Sequence, residues 1–276
     1  MWDWIGKLDE LKRLGREAVL VTVTRYSGST PRKTGAKMIA LADGIFFGTV
    51  GGGVVEHHAL EEATRRLQSG ESGTMEISLK QSVDSDFPAC GGTVELYMEV
   101  VNSEPNAYIF GAGHVGQALC RVLQGTPFRV HLIDERPEWI GSPEIPDGVV
   151  RHSCRWSEFI SGADWCERRS FVVIVSFSGA IDQEILREVL PNPAHYVGMI
   201  GSRAKWGKVK GNLEREGHDL SRVRCPIGHD NGGGAPQEIA IAIASELLSV
   251  HYQAVETLRL FKSGQIVAPV ESPAEA

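Results

Sequence analysis

Gly111, Gly113 and Gly116 are spaced G-x-G-x-x-G directly after the apolar run Tyr108-Ile109-Phe110 and at the start of a helical pattern. In that context each glycine has a physical use. Gly111 allows the tight turn out of the strand, Gly113 lets a pyrophosphate approach the backbone, and Gly116 lets helix and strand pack closely. The other reading is a tight strand-to-helix turn with no ligand. The next strand ends at Asp134, 23 residues after Gly111, near the ~20 expected for a carboxylate that binds ribose. Glu135 and Arg136 follow it, so a salt bridge at the surface is an equal alternative for Asp134. His114 opens the helix, where the dipole disfavours its protonated form; it serves as a neutral hydrogen-bonding group or as a cap.

The rest of this half agrees with the fingerprint. Strand-like segments "RVHLID", "GVVRH", "FVVIVSF" and "HYVGMIG" alternate with helical patterns over Ile181–Leu190, Lys205–Glu216 and Ala235 to about His251. Such alternation gives a parallel sheet covered by helices on both faces. The half before it reads differently. An amphipathic helix from Trp4 stops at Gly15, and β-branched strands over "AVLVTVTRY" and "AKMIALADGIFFGTV" break at Asp43-Gly44. A helix over Val54–Leu67 and strands near Met75–Leu79 and Val94–Val101 complete it. The polar, proline-containing "NSEPNA" separates the halves. The expected organisation is α/β: an N-terminal mixed α+β domain over 1–103, a Rossmann-like doubly wound parallel-sheet domain over 104–252, and a small, polar, flexible tail over 253–276.

A formal net charge of -7 excludes a general affinity for nucleic acid or for anionic membranes, so anion sites have to be local. Neither a membrane span nor a signal peptide is visible, which makes the cytosol the expected compartment. Five scattered cysteines, without a C-x-x-C pair, give no zinc pattern. Cys120 reads as a buried apolar residue within a helix, whereas Cys90 sits in the Pro/Gly turn "FPACGGT".

Four glycine-rich loops are competent for anions. In "RYSGSTPRKTGAKM", Gly28, Ser29 and Thr30 stand beside Arg25, Arg32, Lys33 and Lys37, in an interval from Ala18 to Ala42 that contains no acid. A hairpin edge guarded by basic residues is the alternative. In "GTVGGGVVEHH", Gly51, Gly52 and Gly53 expose amides at a helix N-terminus, and Glu56 either bonds a ligand amino group or caps its own helix. His57 and His58 point to different sides of that helix, so they make no metal pair. In "GMIGSRAKWGKVK", Gly201, Ser202 and Arg203 end a strand where doubly wound sheets bind ligands. The fourth loop, "PIGHDNGGGAPQEIA", also enters a helix. Together the loops suggest a ligand with several phosphate or other polar groups, held by both halves. Hydride transfer would also need a proton donor or acceptor, and no Tyr-x-x-x-Lys pair occurs, which weakens an NAD(P)-dependent oxidoreductase without removing it. A sensing module without turnover is a third reading.

In chain order, "GSTPRKTGAKM", "GTVGGGVVEHHALEEA", "CGGTVEL", "FGAGHVGQAL", "IDERP", "GMIGSRAK" and "PIG…PQEIAIAIASELL" resemble the XdhC/CoxI family, accessory proteins of xanthine dehydrogenase and related molybdenum hydroxylases. The resemblance spans about Gly28 to Leu248. It implies a cytoplasmic, non-catalytic chaperone, acting as a homodimer, that binds the molybdenum cofactor as molybdopterin or a dinucleotide form. It further implies support for sulfuration by a sulfur-donating cysteine desulfurase and delivery to an apo-xanthine dehydrogenase or a related molybdenum hydroxylase. On that reading "GSTPR" and "GGG" hold phosphate and pterin edges, and Cys90 contacts molybdenum or relays sulfur. NAD(P) at the Rossmann-like half stays open. Two departures from the family pattern fall in that half: Ser176-Phe177-Ser178-Gly179 replaces a His-bearing turn, and His229 and Asp230 enter the late loop.

Overall fold

The computed structural model describes residues 2–28, 33–79, 92–230 and 232–262, except for the side chains of 254–262. The chain divides into two compact units, Met1–Ser103 and Glu104–Ala276.

Unit 1 opens with helix α1 (Trp4–Leu14), capped by the Asp3 carboxylate and ended by Gly15 at φ 70. Glycine suits this left-handed stop because it carries no Cβ. Strands β1 (Ala18–Ser27), β2 (Lys37–Ala40), β3 (Phe46–Gly48), β4 (Gly73–Ser78) and β5 (Thr93–Val101), with helix α2 (Gly53–Ser69), complete it. All the pairings are antiparallel, in the order β3-β2-β1-β5-β4. Alternation along the strands sends Val19, Val21, Val23, Met38 and Ala40 to one face, where α2 packs through Val55, Ala59 and Ala63. Leu20, Ile39 and Leu41 go to the other face, beneath Leu8 and Leu11 of α1.

Unit 2 contains β6 (Asn106–Phe110), α3 (His114–Val122), β7 (Arg129–Asp134), α4 (Pro137–Ile140), β8 (Val150–Ser153) and α5 (Trp156–Gly162). They are followed by β9 (Ser170–Ile174), α6 (Gly179–Val189), β10 (Tyr196–Met199), α7 (Arg203–Arg215), β11 (Val223–Arg224) and α8 (Pro236–Lys262). Every pairing is parallel, in the order β11-β10-β9-β6-β7-β8. The first strand, β6, lies at the centre, and the winding direction reverses between β6 and β9, which is the doubly wound arrangement. β6 and β9 are buried at every residue. Their two faces feed separate cores. Ile109, Leu132 and Val173 meet α3 and α8, and Phe110, Ile133 and Ile174 meet α5, α6 and α7.

The fold class expected from the sequence is the one observed. Four elements differ. The helix expected to end near His251 continues to Lys262, because no Gly or Pro interrupts Tyr252–Lys262. Helices α4 and α5, of 4 and 7 residues, and the two-residue strand β11 have no counterpart in the sequence reading. They are too short to show a period.

Candidate functional site

The reversal point brings together the turn after β6, the end of β7 and the turn after β9. Gly111 has φ 118, and a Cβ there would stand 2.5 Å from the Val175 carbonyl oxygen. A Cβ on Gly116 would stand 1.9 Å from the Gly111 carbonyl oxygen. Both glycines are therefore demanded by packing. Gly113 differs: it caps α3 with extended backbone, and a Cβ there would meet nothing within 4 Å. The space over Gly113 is open, and its helix begins without a side-chain cap.

Asp134 is buried, with 8% of its surface exposed. Its carboxylate accepts from the Ala112 amide at 2.8 Å, the Arg136 amide at 3.1 Å, Arg136 Nε at 2.8 Å and Arg136 Nη2 at 2.7 Å. Burial pushes its pKa up, but the Arg136 side chain and the two amides outweigh burial and hold the carboxyl below the usual range. Two oxygens have about four acceptor sites between them, and all are taken. The salt bridge offered as the alternative for Asp134 is formed with Arg136, but on a buried carboxylate rather than at the surface, and it ties the fingerprint turn to the end of β7 as an internal clamp. Arg136 is held from both sides, with its guanidinium carbon 4.4 Å from the Phe177 ring centroid and 5.1 Å from that of Trp139. Trp139 also meets the His114 ring edge-on at 5.4 Å.

Ser202 Oγ caps α7 by accepting from the Lys205 amide at 3.2 Å, which uses one acceptor site of its exposed hydroxyl and leaves the O–H donor. Arg203 is exposed beside it. Lys205, in the same basic stretch, has a specific partner that the sequence did not indicate. Lys205 reaches back between Gly179 and Gly201 to Asp182 at 2.6 Å and to the Ile200 carbonyl at 3.1 Å. Asp182, 1% exposed, also accepts from the Ser176 amide at 3.0 Å. Glycines at 179 and 201, flanking a lysine partner in the first turn of the next helix, are the sequence signal that could have revealed this pair.

In unit 1, Gly51, Gly52 and Gly53 have φ of 149, 75 and 52, and a Cβ on Gly52 or Gly53 would meet nothing within 4 Å. Gly52 caps α2 without a side-chain hydrogen bond. Glu56 accepts from the Thr49 hydroxyl at 2.5 Å. Gly28, at φ 73, and Lys33 are exposed. Lys37 is not brought to α2: it bonds Thr22 Oγ1 at 2.8 Å and lies 4.9 Å from the Trp4 ring centroid. It shares the face of Ile39, opposite to α2, because residues two apart along β2 point the same way. Ser29, Thr30, Arg32 and Cys90 lie outside the described residues. Among the described residues there is no cluster of His, Cys, Asp or Glu able to hold a metal ion, and no helix long and apolar enough to cross a membrane.

An all-parallel sheet wound in both directions from its first strand, with a glycine turn bared at the reversal point, defines unit 2 as a Rossmann-type unit. Family models agree. Residues 107–247 match the XdhC Rossmann domain and residues 11–78 match the XdhC and CoxI family. The chain belongs to the XdhC and CoxI family. It is 31% identical over 232 residues to the uncharacterized protein YqeB of Escherichia coli, covering 81% of this chain and 41% of that one. It thus spans about two fifths of YqeB. It is 21% identical to a probable xanthine dehydrogenase subunit of Bacillus subtilis over 90% of this chain and 97% of that protein. Over 32% of this chain and 28% of the other, it is 33% identical to the molybdenum cofactor insertion chaperone PaoD of Escherichia coli. A crystal structure of a xanthine dehydrogenase from Bacillus halodurans is similar at a TM-score of 0.49 and 20% identity, covering 90% of this chain and 96% of that one.

Proposed function

We propose that the protein is a non-catalytic accessory factor that binds the molybdenum cofactor, supports its sulfuration and delivers it to an apo-molybdenum hydroxylase such as xanthine dehydrogenase. One observation carries this reading. The helices α1, α6 and α7 have side-chain caps from Asp3, Ser178 and Ser202, and Glu238 accepts the Gly234 and Ala235 amides ahead of α8. Helices α2 and α3 alone among the described helices of comparable length start on glycine without such a cap. One lies in each segment that matches a family model.

Free amides at the positive end of a helix dipole suit a phosphate. The cofactor is a pterin phosphate, and its cargo metal needs no ligand from the backbone that holds it. In unit 1 a Cβ on Gly52 or Gly53, and separately in unit 2 a Cβ on Gly113, would meet nothing within 4 Å, which leaves room for a phosphate at each helix start. In this reading Cys90 handles sulfur or metal, a cysteine desulfurase supplies the sulfur, and a second copy of the chain completes the carrier. The relationship to a cofactor insertion chaperone supports the delivery step.

Transfer is the test. Protein isolated from molybdate-fed cells that lack the client enzyme is mixed with the apo-hydroxylase, and activity is followed against the molybdenum content of the added protein. Activity that rises in proportion to that content supports the reading. A preparation without molybdenum and pterin, or one whose cofactor does not activate the client, refutes it.

A further inference from the structure

Three large apolar side chains are exposed among the described residues of unit 2: Phe177, Ile241 and Tyr252. Phe177 is stacked on Arg136, whereas Ile241 and Tyr252, 55% and 54% exposed, both stand on α8. Eleven residues separate them, about three turns, which returns them to the same side of the helix. Exposed Ser245 and half-buried Leu248 fall between them on that side. Apolar positions thus recur at intervals of seven and four, the spacing of a helix that packs along another. The opposite side, through Ala240, Ile243, Ala244 and Leu247, is already spent on the core beneath. From Tyr252 the helix runs on to Lys262, about 15 Å further. A helical segment of this length is marginal in water unless a neighbour covers it.

We infer that this face of α8 packs antiparallel against the same face of a second copy of the chain, about a twofold axis near position 250. That register sets Leu248 of each copy against Tyr252 of the other and carries the extension beyond Tyr252 along Ile241, so the two unpartnered features cover each other. The contact is closed, because each copy supplies the same patch. Antiparallel pairing also places the start of each α8, where Glu238 stands, beside the end of the other, which closes on Lys262. Charges and helix dipoles are then complementary, whereas a parallel pair would set like ends together. Ser245, small and on the seam, leaves the two axes room to approach. The inference rests on the proposed reading for its second copy and adds the surface that joins the two.

Sedimentation of the full, metal-free chain over a concentration series tests it. Wild type is expected to be a dimer, and the double variant Ile241→Glu, Tyr252→Glu to dissociate at least ~100-fold more readily while keeping the circular dichroism of a folded chain. Ser245→Arg, which alters only an exposed hydroxyl on the same seam and leaves the core side of α8 intact, should dissociate the dimer as well. Ile5→Glu is the control: Ile5 of α1 is 65% exposed, and this variant should stay dimeric. A monomeric wild type, a dimer that survives both α8 changes, or one lost equally in Ile5→Glu overturns the inference. A face that serves the client enzyme instead would give that monomeric wild type. The transfer assay, which uses the loaded protein, reads the proposed function separately, since a monomer that still delivers cofactor refutes the pairing alone.

Discussion

Replacing Asp134 by Asn isolates the clamp, because the shape is kept and the charge is removed. The variant loses a charged acceptor for the Ala112 amide, the Arg136 amide and two guanidinium nitrogens. Hydrogen bonds to charged groups are worth about 1.5–3 kcal/mol each. The Arg136 side chain is 25% exposed, which screens its share. Asn also still offers one acceptor oxygen, so we expect a net loss of roughly 2–3 kcal/mol. For a unit of this size each kcal/mol moves the melting temperature by about 2–4 °C, so the drop should be about 5–10 °C at pH 7. The sign with pH follows from the depressed pKa. The contribution is full above the ordinary aspartate value of about 3.9 and is lost as pH falls through the folded value. Thermal unfolding followed by circular dichroism should show the gap between wild type and variant closing in acid. A variant that melts within about 1 °C of the wild type at pH 7, or a gap that widens in acid, would refute the clamp.

Gly116→Ala should abolish soluble, folded unit 2, measured as soluble yield and circular dichroism, because its methyl would overlap the Gly111 carbonyl. Lys205→Met leaves the 1% exposed Asp182 without its cation and should cost about 3 kcal/mol or more in denaturant unfolding. His131 is pushed down to about 3, first by burial and then by His152 and Arg129, and its Nδ1 lies 3.1 Å from His152 Nε2. A depressed histidine favours the fold above about pH 6.5, and that contribution is lost as pH falls toward the folded value. Wild type should therefore lose about 1.4 kcal/mol per pH unit from this group between pH 6 and 4, and His131→Phe should flatten that slope.

How much of this was legible depended on whether the signal was local. The fingerprint turn, the Gly15 stop and the alternation of the second half were readable, because each is written within a few residues of itself. The face reached by Lys37 was also readable, since Lys37 and Ile39 share parity along β2, but the charge pattern of the loop obscured it. The saturation of Asp134 was not readable, because one of its donors, Ala112, lies 22 residues away and is aimed by the turn itself. The Asp182–Lys205 pair, 23 residues apart, was hidden for the same reason. Strand alternation at the end of β7 buries Asp134 as the clamp and leaves the adjacent Glu135 exposed.

If bare glycine starts of helices hold the proposed anionic cofactor, Gly113→Asp should empty the protein without unfolding it. Position 113 has φ -70 and empty space ahead of it, so aspartate fits and caps α3, leaving stability within a few tenths of a kcal/mol of wild type. Its carboxylate would occupy the place of a phosphate and repel one. Molybdenum and pterin are measured per chain in wild type and variant isolated side by side from molybdate-fed cells lacking the client. Wild type should carry about one of each per chain, and an equally stable variant should lose most of both. Equal loading of the two proteins, or an empty wild type, would contradict it.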